Sequence, residues 1–219
     1  TRSQTEDKDW INNWKEYFHQ FYVDDILITP SWEPVKSKDQ GKLLIQIDPG
    51  TAFGTGMHET TQLCIRQIRK YVTEETVLLD VGTGSGILSI AALKLGAKRA
   101  LGTDLDPCAI SASKENMEVN GIPSEKFQVL EGNIIDNRKI QEQAGCEQYD
   151  MVTANILAEV LVPLTPVIVQ HLKKGGIYIT SGIIEEKETV VKDAVQAAGL
   201  EVLEVTHQGD WVSVTARKN

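Results

Sequence analysis

The residues best placed to do chemistry are an acid followed by three alternating glycines, Asp80-Val81-Gly82-Thr83-Gly84-Ser85-Gly86, and a second acid, Asp104, further along. Glycines so spaced let the backbone turn sharply and leave no side chain where a ligand must press against the main chain. A carboxylate placed like Asp104 can accept both hydroxyls of a ribose. Together they read as a site for a nucleoside-bearing cofactor.

Glycine order narrows that choice. A dinucleotide fingerprint runs G-x-G-x-x-G, with a helix N-terminus aimed at a pyrophosphate. Here the order is G-x-G-x-G, directly preceded by Asp80. An acid at that point repels a pyrophosphate but suits a cationic ligand. S-adenosylmethionine has a sulfonium, an amino group and no phosphate, and is the expected cofactor. Gly82 and Gly84 would meet it through the backbone, Asp80 would hold its amino group directly or through water, and Asp104 its ribose. A nicotinamide or nucleotide site, a turn that merely packs, and an Asp80 that only caps the following helix are the alternatives. Asn133 is placed to meet the adenine amine, or else to form a turn. Phe53 is placed to cover the adenine or the methionine tail, or else to pack its own loop.

The elements around these residues agree. Thr76 to Val81 is short, apolar and β-branched, as expected of a parallel strand buried on both faces. Ile87 to Leu95 is apolar nearly all round and stops at Gly96, which suits a buried helix. About Ala100 to Thr103 is a second strand, and Asp106-Pro107 opens a helix that Asn120-Gly121 closes. Strands follow at Phe127 to Leu130, Tyr149 to Ala154 and Ile177 to Thr180. Helical stretches are expected at Asn155 to His171, kinked or interrupted by Pro163 and Pro166, and at Glu185 to Ala198. Glu201 to Thr206 and Trp211 to Ala216 read as an antiparallel hairpin. This pattern predicts an α/β fold: a doubly wound, mainly parallel seven-stranded sheet of the S-adenosylmethionine-dependent methyltransferase type, with a C-terminal antiparallel hairpin. Asp80, Asp104, Asn133 and Asn155 then fall at or just after strand carboxyl ends, where such sheets bind ligands.

With 219 residues, 41% of them apolar and 24% charged, the chain can form one α/β domain and a small appendage. No apolar run approaches the roughly 18 to 20 residues needed to cross a bilayer. The opening TRSQTEDKDW lacks a starting Met and an apolar signal region, so a cytoplasmic chain that begins inside a longer protein is expected. A net charge of −9 and a pI near 5.0 argue against a broad nucleic-acid footprint and are compatible with a basic protein partner. Three scattered cysteines signal neither a disulfide framework nor a zinc site, and no two of the four histidines sit at a metal-ligand spacing. Trp10, Trp14, Tyr17, Phe18 and Phe21 recur at helical spacing, so an aromatic helix from about Asp9 to Tyr22 is expected.

A second motif is more specific than the glycine turn. Asp48-Pro-Gly-Thr-Ala-Phe-Gly-Thr-Gly-Met-His-Glu-Thr-Thr61, together with Asp80-Val-Gly-Thr-Gly-Ser-Gly86 and Asn155-Ile-Leu-Ala158, closely resembles the PrmA family, methyltransferases of the eleventh protein of the large ribosomal subunit. The resemblance covers about Trp10 to the C-terminus. It implies S-adenosylmethionine binding through Thr61, Gly82, Asp104 and Asn155. It also implies methylation of lysine side chains and the N-terminal amine of that basic ribosomal protein. Members carry a small N-terminal substrate-recognition domain, so residues 1–45 are expected to be the linker tail of such a domain and 46–219 the methyltransferase domain.

Methyl transfer from a sulfonium needs an aligned, neutral amine and exclusion of water. Deprotonating a lysine of pKa near 10.4 at pH 7 costs roughly 4 to 5 kcal/mol, against about 1 for an α-amine. Asn155 is the expected catalytic group, its oxygen accepting amine hydrogens and aiming the lone pair. His58 could relay the proton or hold its glycine-rich loop in shape. Thr60 and Thr61 resemble a helix N-cap, with Thr61 reaching the cofactor on the strength of the resemblance. Asn155-Ile-Leu-Ala158 lacks the prolines and aromatic of the N-P-P-Y motif that holds a flipped base. A methyltransferase for a small molecule and a non-catalytic S-adenosylmethionine-binding module remain the competing readings.

Overall fold

The computed structural model describes residues 19–48 and 57–219. Trp10, Trp14, Tyr17, Phe18 and Phe53 lie outside them. Phe21–Val23 (β1), Ile26–Thr29 (β2) and Leu44–Gln46 (β3) form a small sheet, β1 antiparallel and β3 parallel to β2. The expected helix therefore does not extend to Phe21 and Tyr22, which are strand. Nor does residue 45 mark a structural boundary, because β3 crosses it. Val23, Ile26, Ile28, Ile45 and Ile47 are buried in one cluster with Cys64, Ile65 and Ile68 of the following helix. Ion pairs from that helix, Arg66 to Asp24 at 3.0 Å and Arg69 to Asp25, tie the sheet down further.

After α1 (Glu59–Tyr71) the chain alternates: β4 (Val77–Val81), α2 (Ile87–Lys94), β5 (Arg99–Asp104), α3 (Pro107–Val119), β6 (Phe127–Glu131), α4 (Arg138–Ala144) and β7 (Tyr149–Asn155). Then come α5 (Ala158–His171), β8 (Leu172–Ile184), α6 (Glu188–Ala197), β9 (Leu200–Gln208) and β10 (Trp211–Lys218). The seven-stranded sheet has the order β6-β5-β4-β7-β8-β10-β9. β10 is inserted between β8 and β9 and runs antiparallel to both, while the other neighbours are parallel.

Every residue of β4 is buried, and alternate side chains enter opposite cores. Leu78 joins Ile65, Ile90 and Met117 of α1, α2 and α3 on one face. Leu79 joins Ile140, Leu161, Leu164 and Val191 of α4, α5 and α6 on the other. Strand order reverses at β4, so the carboxyl ends of β4, β5 and β7 border the crevice of a doubly wound sheet. Among the described residues, no helix is long and apolar enough to cross a membrane.

Helix α5 is not interrupted by Pro163 and Pro166. Both prolines are exposed, as is Glu159, so the partnerless carbonyls of Glu159 and Val162 fall toward the outer face, where water can meet them. The opposite face buries Leu161, Leu164, Thr165 and Ile168 and holds the helix on the sheet. α5 ends at His171, which is fully buried with Nδ1 2.6 Å from the Gly145 carbonyl. Burial lowers its pKa from the ordinary 6.5, against the opposing pull of that carbonyl. The folded state therefore binds fewer protons than the unfolded chain just below pH 6.5, and stability falls as pH drops from 6.5 through the lowered value. Urea unfolding at pH 7 and pH 5 should show a smaller loss for His171→Gln than for the wild type, the difference approaching but not exceeding about 1.4 kcal/mol per pH unit. Equal losses in the two chains would remove His171 as the source.

Candidate cofactor and acceptor site

Asp80, fourth in β4, is 1% exposed. Its Oδ1 accepts from Thr153 Oγ1 at 2.8 Å, and its Oδ2 from Thr83 Oγ1 at 2.8 Å and Ser89 Oγ at 2.9 Å. The Ser89 backbone N–H, in the first turn of α2, donates to the same carboxylate. Burial pushes the carboxyl pKa up, and the donors from Thr153, Thr83 and Ser89 pull it back. Four donors of the protein thus already engage the carboxylate that was expected to hold the cofactor's amino group. The glycine turn folds Thr83 and the start of α2 back over the end of β4, and these groups take the carboxylate's lone pairs. The capping alternative describes the geometry. It also strengthens the exclusion of a pyrophosphate, because a donor at the α2 N-terminus already serves a carboxylate of the protein itself.

Above this network lies a cavity of about 510 Å³, bordered by the ends of β4, β5 and β7, a size suited to a small organic ligand. Asp104 borders it from β5. One of its oxygens accepts from Gly84 N at 2.9 Å and the other from Asp106 N at 3.1 Å, which fixes the carboxylate while each oxygen keeps a lone pair. Asn133 is also in the wall, but its Oδ1 accepts the Ile135 N–H at 3.0 Å, so the turn-forming role is the one its oxygen performs.

Asn155 borders the cavity from β7, on the other side of β4 from Asp104. Its Nδ2 donates to Thr61 Oγ1 at 3.1 Å. One N–H of the amide is thereby committed, and the second N–H and the oxygen remain to meet a ligand. Thr61 is fully buried and lines the cavity as expected, but it does not cap α1. The N-cap is His58, whose ring accepts the Thr60 N–H at 3.3 Å and lies 2.9 Å from Thr60 Oγ1. The ring also meets Trp211 edge-on, with centroids 4.7 Å apart at 71°. His58 thus borders the cavity as a capping group set edge-on against an aromatic wall.

Gly82 and Gly86 in the turn both have positive φ, and a Cβ on Gly82 would lie 2.6 Å from Ile156 Cγ2. A second glycine approaches the same residue from β8: at Gly182, with φ of +83°, a Cβ would lie 2.4 Å from the Ile156 carbonyl oxygen. Gly182 was missed in the sequence. Its signal was a glycine interrupting an apolar strand, which marks a close backbone approach. Leu105, Leu157, Val160 and Trp211 also belong to the apolar wall and carry no signal in the sequence reading. Leu105 and Leu157 are each 66% exposed, unusual for leucines beside a cavity and consistent with cover by a ligand. Walls of this kind around two carboxylates, Asp104 and Asp106, fit a cationic nucleoside.

The comparisons agree with the geometry. The chain matches the ribosomal protein L11 methyltransferase (PrmA) family over residues 1–219. It is 56% identical over 219 residues to the ribosomal protein L11 methyltransferase of Agathobacter rectalis, covering 99% of this chain and 68% of that protein. It is 54% identical to that of Lachnospira eligens, covering 100% of this chain and 69% of that one. A crystal structure of a ribosomal protein L11 methylase from Lactobacillus delbrueckii subsp. bulgaricus superposes with a TM-score of 0.82 at 33% identity, over 92% of this chain and 100% of that one. With a buried acid under a glycine turn, a fixed carboxylate and an oriented amide on opposite sides of β4, and this similarity along the whole chain, the protein belongs to the ribosomal protein L11 methyltransferase family.

Proposed function

We propose that this chain transfers methyl groups from S-adenosylmethionine to lysine side chains and the N-terminal amine of ribosomal protein L11, in the cytoplasm. Asn155 carries the reading: Thr61 holds one N–H of its amide, and the residue borders the cavity across β4 from Asp104, where its oxygen would serve as the acceptor. Asp104 would hold the ribose, and the Gly82 and Gly84 backbone would pass close beneath the methionine portion. Leu105 and Ile135 would flank the adenine. When bound, the cofactor supplies a methyl group activated by its sulfonium.

The remaining work falls to the protein's own residues. A lysine must reach the site neutral, at a cost of roughly 4 to 5 kcal/mol at pH 7, and the apolar wall of Leu157, Val160 and Trp211 favours the uncharged form by withholding water. The Asn155 oxygen accepts an amine N–H and turns the lone pair toward the cavity. His58, capping α1 and edge-on to Trp211, holds Thr60 and Thr61 in place and, through Thr61, the Asn155 amide.

Labelled methyl should pass from S-adenosylmethionine to purified ribosomal protein L11. Donor binding without such transfer would favour the small-molecule or non-catalytic readings. Asp104→Ala should weaken donor binding roughly a hundredfold by calorimetry, having lost two charged acceptors. Asn155→Ala should lower turnover roughly a hundredfold at saturating donor, the scale of losing one aligned polar group in a site.

Asp80 separates two physical roles. Asp80→Ala leaves three hydroxyls and an amide without their acceptor and should lower both thermal stability and donor affinity. Asp80→Asn is isosteric, and the hydroxyls can reverse to suit it, so donor affinity should stay within several-fold of wild type. Abolished donor binding in a well-folded Asp80→Asn chain would mean that the negative charge itself acts on the cofactor.

A further inference from the structure

Asn116 lies in the last turn of α3, 1% exposed and outside the cavity wall. Its Nδ2 donates to the Ser85 carbonyl at 3.0 Å, inside the glycine-rich turn. Its Oδ1 accepts the Asp48 N–H at 2.9 Å, just beyond β3. The Asp48 carboxylate in turn accepts from Ser31 N at 2.7 Å and Ser31 Oγ at 2.6 Å, in the loop after β2. One buried amide therefore joins the turn beneath the cavity to the small N-terminal sheet.

Its helical neighbours each hold only one side. Ser113, a turn earlier, donates to the Gly84 carbonyl at 2.8 Å, and the Gly84 N–H holds Asp104. Asn120, a turn later, accepts from Gln46 N at 2.9 Å and donates to Gln46 O at 2.6 Å. Spacing of three and four residues puts all three on one face of α3. Only Asn116 reaches both ways. A primary amide offers a donor and an acceptor on one short side chain, whereas an acid at pH 7 can only accept.

We propose that Asn116 is a positioning residue for the methyl donor, holding the glycine-rich turn and the β3 segment in one fixed relation so that donor affinity depends on a side chain outside the cavity wall. This rests on the reading of the cavity as the donor site. Moving the N-terminal sheet would then be felt at Gly84 and Asp104.

Donor binding, measured by calorimetry with S-adenosylmethionine, should be present in the wild type and roughly tenfold weaker in Asn116→Ala and Asn116→Asp, as expected for a lost buried hydrogen bond. The aspartate is isosteric and keeps the acceptor for Asp48 while opposing the Ser85 carbonyl, so it decides the matter should the alanine chain not fold. Turnover of the Asn116 variants at saturating donor should stay within about twofold of wild type, because only binding is disturbed. Asn120→Ala frees β3 but leaves the turn held. It should lower the thermal midpoint while keeping donor affinity within about twofold. Wild-type affinity in both Asn116 variants, or equal weakening in Asn120→Ala, overturns the proposal alone. Absence of donor binding by the wild-type chain overturns the cavity reading and the proposal together.

Discussion

The carboxylate of Asp80 is buried at the centre of the sheet, and a charge left unpaired there would cost several kcal/mol. Its donors come from three separate pieces of chain: Thr83 in the glycine turn, Ser89 in α2 and Thr153 in β7. Satisfying one charge therefore fixes how the turn leaves β4, where α2 starts and how β7 lies beside β4. The same carboxylate takes up a donor at the α2 N-terminus, which removes an attraction for phosphate. An acid in this position thus acts as structure first and selects the ligand by exclusion.

Ile156 transmits that arrangement to the acceptor side. It is squeezed between Gly82 in the turn after β4 and Gly182 on β8, neither of which leaves room for a Cβ. Its backbone N–H donates to the Ser181 carbonyl at 3.1 Å, so the residue after Asn155 is fixed by a side-chain contact and a hydrogen bond together. Asn155 is then oriented by Thr61 from α1. The amide sits where strands and helix from distant parts of the chain agree on its position.

What could be read from the sequence was local. The unit Val77 to Asp104 announces itself because turn, helix and strand signals lie within one βαβ repeat, and Asp104, Thr61 and Asn155 border the cavity as the residue types and the resemblance led one to expect. Pairing across long separations left weaker traces. The placement of β10 between β8 and β9, which delivers Trp211 to His58, has no local signature. The β1–β3 sheet was hidden because its strands are three or four residues long and an aromatic period overlapped the first of them. The hydrogen-bond partners of Asp80 were not legible, because sequence shows that an acid precedes the turn and not which way the side chain points. The two prolines of α5 misled for a related reason: whether a lost helical bond matters depends on whether water can reach the freed carbonyl.

The polarity of the site follows the charge of the reacting partners. A carboxylate at position 155 would pair with an incoming ammonium and raise its pKa, retaining the proton that must leave before the nitrogen can attack. An amide oxygen accepts a hydrogen bond from the neutral amine without adding a negative charge that favours the ammonium. The acids of the cavity wall, Asp104 and Asp106, lie instead on the β5 side of β4, where ribose hydroxyls could use Asp104, and the acid directly beneath the turn is covered by hydroxyls. On the proposed reading, separating a charged cofactor side from an uncharged acceptor side would let one small cavity hold a cationic donor and still accept an amine in its neutral form.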